Sequence, residues 1–293
     1  MEGPEIPELE PQSPDRARPV IGFLTDFGLD GAAAICRGVM LSIARDAQIV
    51  DISHTVAKYA IRDGAYLLAA AVPWLPVGVC VGVVDPGVGT ERRPIAILTR
   101  TGAILIGPDN GLLLPAARAL GGVTDARVLE NRTWMLPVTS STFHGRDIFA
   151  PVAAHLATGK TFAEVGPAVE PASLIELAEV APSVIDGSIW TEIAYVDSFG
   201  NLRLAARPAD LTAALGPVEP GTPLEVTVPN RGADGRADAL LQVRWSRTFG
   251  ETPVGELLAY VDSAGALAIA ESSGNAARRL SLDTGARLGI RRA

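Results

Sequence analysis

The sequence predicts an α/β protein in which an N-terminal α/β domain with a central sheet precedes a smaller C-terminal all-β barrel domain. Short apolar runs alternate with helical periods from residue 20 onward, which is typical of a largely parallel sheet covered on both faces. After about residue 180 the helical periods vanish, and strand-like runs with glycine-bearing turns replace them. The length of 293 residues and the hydrophobic content of 48% suit two globular cores.

The N-terminal elements follow one another as strands and helices. The first five segments predict a β-α-β-α-β series: VIGFLTDFG, AAAICRGVMLSIARDA, QIVDIS, RDGAYLLAAAVPWL and GVCVGVVD. Two more strands, a short helix and a longer helix come next: IAILTR, AILIGPD, LLLPAARALG and DIFAPVAAHLATGK. An irregular segment around Trp134 separates the last two. We expect the α/β domain to span residues 20–180, after a flexible, proline-rich tail at 1–19.

The C-terminal elements are expected to form a β-barrel or sandwich over residues 186–293. The strand-like runs are TEIAYVDSFGNLRLA, PLEVTVPN, ALLQVRWSRTFGE and GELLAYVDSAGALAIAES. The frame YVDSxGxLxxA occurs twice, at 195–205 and at 260–270, and predicts two β-hairpins that turn at Ser-x-Gly. Favourable turn chemistry alone would explain the repetition, and a shared role is the alternative.

Composition favours a small-molecule partner. A net charge of −8 and an isoelectric point near 5.0 argue against nucleic-acid and anionic-membrane binding. The uncharged stretch Tyr66–Val84 has the length of a membrane span, but Pro73 and Pro76 predict a helix end, a turn and a buried strand instead. The absence of a disulfide framework and of a secretory signal indicates a reducing compartment, and we expect a cytoplasmic protein.

Several familiar chemistries lack their sequence signatures. No GxGxxG opens a helix after the first strand, and the GKT at 159–161 lacks the upstream glycine of a phosphate-binding loop. No GxSxG motif of a serine hydrolase occurs. The three histidines show no metal-ligand spacing. We therefore expect neither a metal nor a cofactor.

Polar motifs adjoin the most apolar strands. Asp26, Asp51, Asp85 and Asp109 each stand where an apolar run gives way to a loop, and open α/β sheets bind ligands outside the carboxyl ends of their strands. Each motif also has an ordinary explanation as a turn, a cap or a structural histidine. Together they predict the lining of one site: TDFG, DISH, VVDPGVGTERR, PDNG, STFHGRD and DSFGN.

With these motifs, the chain resembles the S-adenosyl-L-methionine hydroxide adenosyltransferase family, relatives of fluorinating and chlorinating enzymes that also consume S-adenosylmethionine. LTDFG, DPGVGTERR, PDNG, TFHGRDIFAP and DSFGN occur in the family's order from about Val20 to the C-terminus. The resemblance implies an N-terminal α/β domain, a C-terminal β-barrel and a homotrimer. It places active sites where the N-terminal domain of one subunit meets the C-terminal domain of its neighbour.

The resemblance also implies the roles of individual residues. Asp85, Arg92 and His144 match the set that handles water as the nucleophile, whereas fluorinating relatives have Tyr, Thr and Tyr there and Ser at the position of Gly145. The other implied residues bind substrate: Asp26 at the ribose hydroxyls, Phe199 and Asn201 at the adenine, Asp30 at the methionine ammonium, Ser263 at its carboxylate, and also Tyr59, Thr142, Phe143, Phe249 and Ser273. Compared with halogenating relatives, Ala264 replaces an arginine, Tyr59 replaces a tryptophan and the LDGAAA loop is a residue shorter.

The implied reaction has a physical rationale. A sulfonium departs as neutral methionine, so displacement at the ribose 5′ carbon needs no general acid, only an oriented nucleophile. Asp85 alone is a weak base, and we expect His144 to assist it while Arg92 holds the developing hydroxide. The turn formed by Pro86, Gly87 and Gly89 is expected to let the backbone approach the substrate.

Three alternatives stay open at this point. A halogenase would give a 5′-halogenated adenosine, and the identities of Asp85, Arg92 and His144 argue against it. A non-catalytic protein that binds adenosine or S-adenosylmethionine would show no turnover. A nucleoside hydrolase would need a cluster of aspartates for calcium, and TDFGLD offers too few.

Overall fold

The computed structural model describes residues 18–178, 181–229 and 238–293. The chain divides into two compact units, one of which ends at Leu177 and the other of which begins at Ala178. All but the last two residues of the predicted tail lie outside the described part of the chain.

The N-terminal unit contains a six-stranded sheet in the order β2-β1-β3-β5-β4-β6. Strands β2, β1, β3 and β5 run parallel to one another, which confirms the predicted parallel core, and β4 runs antiparallel to both β5 and β6. A short turn joins β4 to β5, and so short a connection permits only an antiparallel pair. The strands are β1 (Val20–Thr25), β2 (Gln48–Ser53), β3 (Val79–Val83), β4 (Pro94–Thr99), β5 (Ile104–Pro108) and β6 (Val123–Val128), of which β6 was not predicted.

Helices cover both faces of this sheet. They are α1 (Ala32–Ile43), α2 (Ile61–Ala71), α3 (Leu114–Ala119) and α4 (Ala150–Ala157). Alternate residues of one strand point to opposite faces, so Phe23 packs in the core that includes α1 and α4, while Leu24 packs in the core that includes α2 and α3. The uncharged stretch that resembles a membrane span is the end of α2, a 3₁₀ turn and β3, as predicted. In the described residues, no helix has the length and apolarity to cross a membrane.

The C-terminal unit contains a closed β-barrel, which confirms the predicted class. Seven strands pair in a ring, β14-β10-β11-β12-β13-β9-β8, and the β14–β8 pairing closes it. An eighth strand, β7, adds to β8 outside the ring. The strands are β7 (Ser183–Ile185), β8 (Ser188–Val196), β9 (Leu202–Leu204), β10 (Pro223–Val228), β11 (Ala239–Trp245), β12 (Leu257–Val261), β13 (Leu267–Glu271) and β14 (Arg287–Arg292).

Two short helices correct the expectation that helices are absent after residue 180. They are α5 (Pro208–Leu215) and α6 (Ala276–Leu280). Local start signals explain both: Asp210 accepts a hydrogen bond from the backbone N–H of Arg207 at 2.7 Å, and Asn275 accepts one from Arg278 at 2.7 Å. Both helices are too short to show a helical period in the sequence.

The two YVDSxG repeats form equivalent hairpins, β8–β9 and β12–β13, as predicted. In the first, Oδ1 of Asp197 accepts hydrogen bonds from the backbone N–H groups of Phe199 and Asn201, each at 3.0 Å. In the second, Oδ1 of Asp262 accepts them from Ala264 at 2.8 Å and Ala266 at 2.9 Å. The repeated aspartate therefore has a structural role in both turns.

Candidate active site

The carboxyl ends of the parallel strands present the predicted acids to one edge of the N-terminal sheet. Asp26 directly follows β1, Asp85 follows β3 after one intervening residue, and Asp109 directly follows β5. Asp51 differs from its prediction because it lies within β2 rather than after it. Three of the four acids therefore occupy the edge at which open α/β sheets bind ligands.

Asp85, Arg92 and His144 form one hydrogen-bonded cluster. Nε of Arg92 donates to Oδ1 of Asp85 at 3.1 Å, and Nη2 donates to Oδ2 of the same carboxylate. Nη2 of Arg92 also lies 3.3 Å from Nδ1 of His144. The side chains of Arg92 and Asp85 are only 7% and 5% exposed, so this fork-shaped pair is shielded from water.

One guanidinium nitrogen of this cluster has no protein partner. Nη1 of Arg92 is buried and makes no hydrogen bond to any described residue. Buried N–H groups are almost always paired, because an unmet one costs about 1–3 kcal/mol. Nη1 is therefore a buried donor without a partner among the described residues.

The imidazole of His144 is kept neutral by its surroundings. Burial lowers its pKa below the ordinary value of 6.5, and the neighbouring Arg92 cation lowers it further. An arginine can only donate, so its hydrogen bond to Nδ1 makes that nitrogen the acceptor. The ring then carries its proton on Nε2.

Two glycines bring the segments of this cluster together. A Cβ atom on Gly89, whose φ is +78°, would lie 2.3 Å from the carbonyl oxygen of Ser141. The sequence predicted that this turn approaches the substrate, but at Gly89 the close approach is to the chain's own backbone, three residues before His144. A Cβ on Gly145 would lie 2.8 Å from Cζ of Phe27. Gly89 and Gly145 thus permit the contacts that place His144.

A π-helical turn over Gly145–Phe149 follows His144 directly. Such turns are rare and frequently occur at functional sites. Within the turn, fully buried Asp147 accepts hydrogen bonds from Arg146 at 2.6 Å and from the backbone N–H of Ser140 at 2.8 Å. Asp147 therefore fixes the loop that leads to His144. Sequence reasoning did not single it out, because the acid in HGRD resembles an ordinary surface charge.

Asp26 and Tyr59 are joined by a hydrogen bond. The backbone N–H of Tyr59 donates to Oδ2 of Asp26 at 2.9 Å. Tyr59 has φ +66°, a conformation that is strained for a bulky residue, and its side chain is exposed. Such strain persists where surrounding structure enforces it, often at ligand sites.

The other predicted residues of this unit are dispersed. Phe143 packs edge-on against Phe27 at 5.7 Å between ring centroids, next to His144. Asp30 and Thr142 are exposed and bond locally: Asp30 accepts from the backbone of Ala32 at 3.1 Å, and the Thr142 hydroxyl lies 3.1 Å from that of Ser140. The structure does not join these two to the cluster.

The acid of the PDNG motif has a structural partner. Buried Asp109 forms an ion pair with Arg93 and accepts a hydrogen bond from the backbone N–H of Ile175 at 2.9 Å. Arg93 also donates to the carbonyl oxygen of Ser173 at 2.6 Å. Asp109 thus anchors the end of the N-terminal unit.

The C-terminal unit has a cavity of about 1020 Å³ that contains all five of its predicted site residues. Phe199 is 75% exposed and Phe249 is 42% exposed, so both present aromatic rings to solvent. Ser273 has φ +57°, a second strained backbone at a predicted contact. The five residues are Phe199, Asn201, Phe249, Ser263 and Ser273.

The described residues of the candidate site include no cluster of side chains suited to binding a metal ion. In the part of the chain that the structure describes, no group of three or more His, Cys, Asp or Glu side chains could hold a metal ion. The two cysteines, Cys36 and Cys80, are buried, and burial raises their pKa values to about 12 and about 11. Neither thiol has the properties of a nucleophile.

Comparison with known protein families agrees with these motifs. The model of the SAM hydroxide adenosyltransferase N-terminal domain matches residues 21–166, and that of the C-terminal domain matches residues 191–289. The chain belongs to the SAM hydroxide adenosyltransferase family.

Relatives of this family member are similar over nearly their whole length. It is 45% identical to the (R)-S-adenosyl-L-methionine hydrolase of Salinispora arenicola, over 93% of this chain and 97% of the relative. It is 28% identical to a fluorinase of Nocardia brasiliensis, over 92% and 95% of the two chains. The crystal structure of an uncharacterized conserved protein from Thermotoga maritima superposes with a TM-score of 0.83 at 35% identity, covering 93% of this chain and 100% of that one.

Proposed function

We propose that this chain is an S-adenosyl-L-methionine hydrolase, in which water displaces L-methionine at the ribose 5′ carbon to give adenosine. Curated relatives that are 39–45% identical over at least 92% of this chain carry the name (R)-S-adenosyl-L-methionine hydrolase, and fluorinases are more distant. The observation that carries the proposal for this chain is the buried, unpartnered Nη1 of Arg92 beside Asp85 and His144.

The cluster is suited to holding a water molecule for attack. Nη1 of Arg92 and Nε2–H of His144 are donors, and the side chain of Asp85, which binds Arg92, is an acceptor. Donors and acceptors fixed in a shielded site orient a small polar nucleophile without reorganisation during the reaction. This differs from the expectation that His144 assists as a base, because the acceptor role of Nδ1 leaves Nε2 as a donor.

The proposed step balances without a cofactor or metal. The water oxygen donates an electron pair to C5′, the C5′–S bond breaks, and its electron pair returns to sulfur, so that methionine leaves as a neutral thioether. The attacking water becomes acidic as its C–O bond forms, and the weak base Asp85 accepts its proton. The products are adenosine, methionine and one proton, which Asp85 releases to solvent.

The remaining predicted residues would bind substrate. Asp26 presents a carboxylate that can accept from both ribose hydroxyls, in the manner of acidic residues in dinucleotide sites. The exposed rings of Phe199 and Phe249 offer stacking surfaces for adenine. Ser263 and Ser273 supply hydroxyls in the same cavity. Asp30, Thr142 and Phe143 would contact the substrate from the N-terminal unit.

We also propose that the protein is a cytoplasmic homotrimer in which each site takes the Asp85 cluster from one subunit and the aromatic cavity from a neighbour. The partition of the predicted residues between two compact units supports this arrangement, as does the solvent exposure of Phe199 and Phe249. Sedimentation analysis would measure the oligomeric state. Mixed trimers of an Arg92 variant and a Phe199 variant should regain activity, since some sites then combine two intact halves.

Isotope labelling tests the proposed reaction directly. Purified protein is incubated with S-adenosylmethionine in water enriched in oxygen-18, without halide and then with chloride, and products are followed by mass spectrometry. Adenosine labelled at the 5′ oxygen, together with methionine, is the expected result. Chloride-dependent 5′-chloroadenosine would indicate a halogenase, and binding without turnover would indicate a non-catalytic binding protein.

A further inference from the structure

A second polar network, distinct from the Asp85 cluster, runs from the partly exposed side chains of Arg37 and Asp51, through His54, to buried Thr25 at the end of β1. Nε2 of His54 lies 2.9 Å from Oδ1 of Asp51, and Nδ1 of His54 lies 2.9 Å from the hydroxyl of Thr25. Arg37, on α1, donates to Oδ2 of Asp51 at 2.6 Å. The His54 side chain is 12% exposed, and Thr25 is fully buried.

A β-bulge makes this network possible. Phe23 pairs with Asp51 but Leu24 pairs with Ser53, so Ile52 is an extra residue in β2. Residues three apart in a regular strand point to opposite faces, whereas one extra residue returns Asp51 and His54 to the same side. The ring of His54 is further held edge-on against buried Phe23, with 4.9 Å between centroids.

The hydrogen-bond directions of the network follow from the donors available. The Thr25 hydroxyl oxygen accepts from the backbone N–H of Phe27 at 3.2 Å, so its own hydrogen is free to go to Nδ1 of His54. Nε2–H of His54 then donates to Asp51, which also accepts from Arg37. Each hydrogen bond in this network then has one donor and one acceptor.

The order of acid, imidazole and hydroxyl is that of a hydrolase triad, but burial excludes this function. No substrate reaches the oxygen of Thr25, because the residue has no exposed surface. These hydrogen bonds instead hold the backbone of residues 25–28. The hydroxyl of Thr25 accepts from the N–H of Phe27, and the carbonyl oxygen of His54 accepts from the N–H of Gly28 at 2.7 Å.

We infer that His54 is a positioning residue for the proposed hydrolase reaction: with Asp51 and Thr25, it fixes the loop that carries Asp26 and Phe27. The inference rests on the proposed function for its reaction but on the geometry above for its mechanism. The fixed loop would hold the carboxylate of Asp26 in position to accept hydrogen bonds from the ribose hydroxyls. Phe27 packs against Gly145, immediately after His144, so the same loop also supports the reaction centre.

Two amide substitutions of His54 separate positioning from packing. In His54→Asn the amide lies near the place of Nδ1 and can still accept from Thr25, whereas in His54→Gln it lies near the place of Nε2 and reaches only Asp51. Both lose the ring contact with Phe23. We expect KM for S-adenosylmethionine and Kd for adenosine to rise about tenfold in His54→Gln, and clearly less in His54→Asn, with kcat changing less than KM.

Thr25 provides the second variant pair and Thr99 the control. Thr25→Val should reproduce the loss of affinity, and Thr25→Ser should restore it. Thr99 is a comparably buried threonine whose hydroxyl donates to the carbonyl oxygen of Ala103 at 2.8 Å, at a strand end of the same sheet. Thr99→Val should lower Tm without changing KM or Kd.

The outcomes distinguish this inference from the proposed function. Turnover by the wild-type protein tests the reaction, and adenosine affinity, measured by calorimetry, tests the positioning network separately. Equal effects of His54→Asn and His54→Gln, or losses that follow Tm alone in every variant including Thr99→Val, would overturn the positioning role. Unchanged adenosine affinity in Thr25→Val would overturn it as well.

Discussion

The Asp85 cluster of the N-terminal unit and the aromatic residues of the C-terminal cavity differ in their exposure to solvent. In the N-terminal unit, charged side chains are buried and bound to one another: Asp85 and Arg92 are 5% and 7% exposed. In the C-terminal unit, aromatic rings stand in an open cavity, and Phe199 is 75% exposed. Both sets come from equally recognisable sequence motifs.

This difference reflects two separate physical requirements. A group that orients a nucleophile must be rigid and shielded, since its electrostatic effect depends on fixed geometry and low dielectric. A surface that stacks on a base needs only area and access, because stacking tolerates modest displacement. We therefore expect substitutions in the N-terminal cluster to change kcat and substitutions in the C-terminal cavity to change KM.

The largest expected effect is a loss of kcat in a variant of Arg92, and the adjacent Arg93 provides the control. Arg92→Lys keeps the charge but loses the fork that binds Asp85 and offers Nη1, so kcat should fall by about 10²- to 10³-fold, the loss seen when a preorganised donor is removed. KM should change little. Steady-state kinetics with S-adenosylmethionine provide the measurement.

Arg93→Lys is the matched control for this prediction. Arg93 also binds a buried aspartate, Asp109, but its contacts hold the chain near Ser173 rather than His144. The Arg93→Lys substitution should lower Tm and leave kcat close to that of the wild type. A similar loss of kcat in both variants would show that the Arg92 effect is general destabilisation.

The second prediction concerns the C-terminal platform. Phe199→Ala removes an exposed ring, so KM should rise roughly tenfold, within the range of base–aromatic stacking, while kcat changes little. The control is Trp74→Ala, which removes another exposed aromatic ring, 61% exposed, from the N-terminal unit. A drop in kcat with unchanged KM in Phe199→Ala would contradict the expectation that the C-terminal cavity affects KM and the N-terminal cluster affects kcat.

Local sequence patterns predicted the residues of the site better than the contacts that bring those residues together. Strand ends and turn residues identified Asp26, Asp85 and the two hairpins, because these depend on local patterns. The contact between Arg92 and His144, which lie 52 residues apart, and the complete burial of Asp147 depend on tertiary packing, which no local period in the sequence records. The short helices α5 and α6 depend on local caps and are too short to show a helical period, and the short turn between β4 and β5 sets the antiparallel direction of β4.

A third prediction uses backbone strain in the N-terminal unit. Tyr59→Gly relieves a left-handed conformation that costs a bulky residue roughly 1 kcal/mol, so the free energy of unfolding should stay the same or rise. KM should nevertheless rise several-fold if the Tyr59 ring contacts substrate. Asp186→Gly, at φ +49° in a turn outside the site, should show the stability effect without the KM effect. Loss of stability in Tyr59→Gly would indicate that the ring serves packing rather than binding.

The smallest expected effect is on stability as a function of pH. All three histidines lie in the N-terminal unit, and burial lowers the pKa values of His144 and His155 below 6.5. Because the folded state binds protons on these rings less readily than the unfolded state, their contribution to stability is fully present above pH 6.5. It falls as the pH decreases through that value and levels off below the folded-state pKa values.

Urea unfolding at pH 7.5 and 5.5 should therefore show a smaller free energy of unfolding at the lower pH. His155→Gln should reduce this difference while leaving turnover intact, since His155 packs against Trp134 and not against the Asp85 cluster. The barrel contains no histidine, so its isolated contribution should not change between these two pH values through imidazole titration. An unchanged pH difference in His155→Gln would show that titration of His155 does not cause the acid sensitivity of this unit.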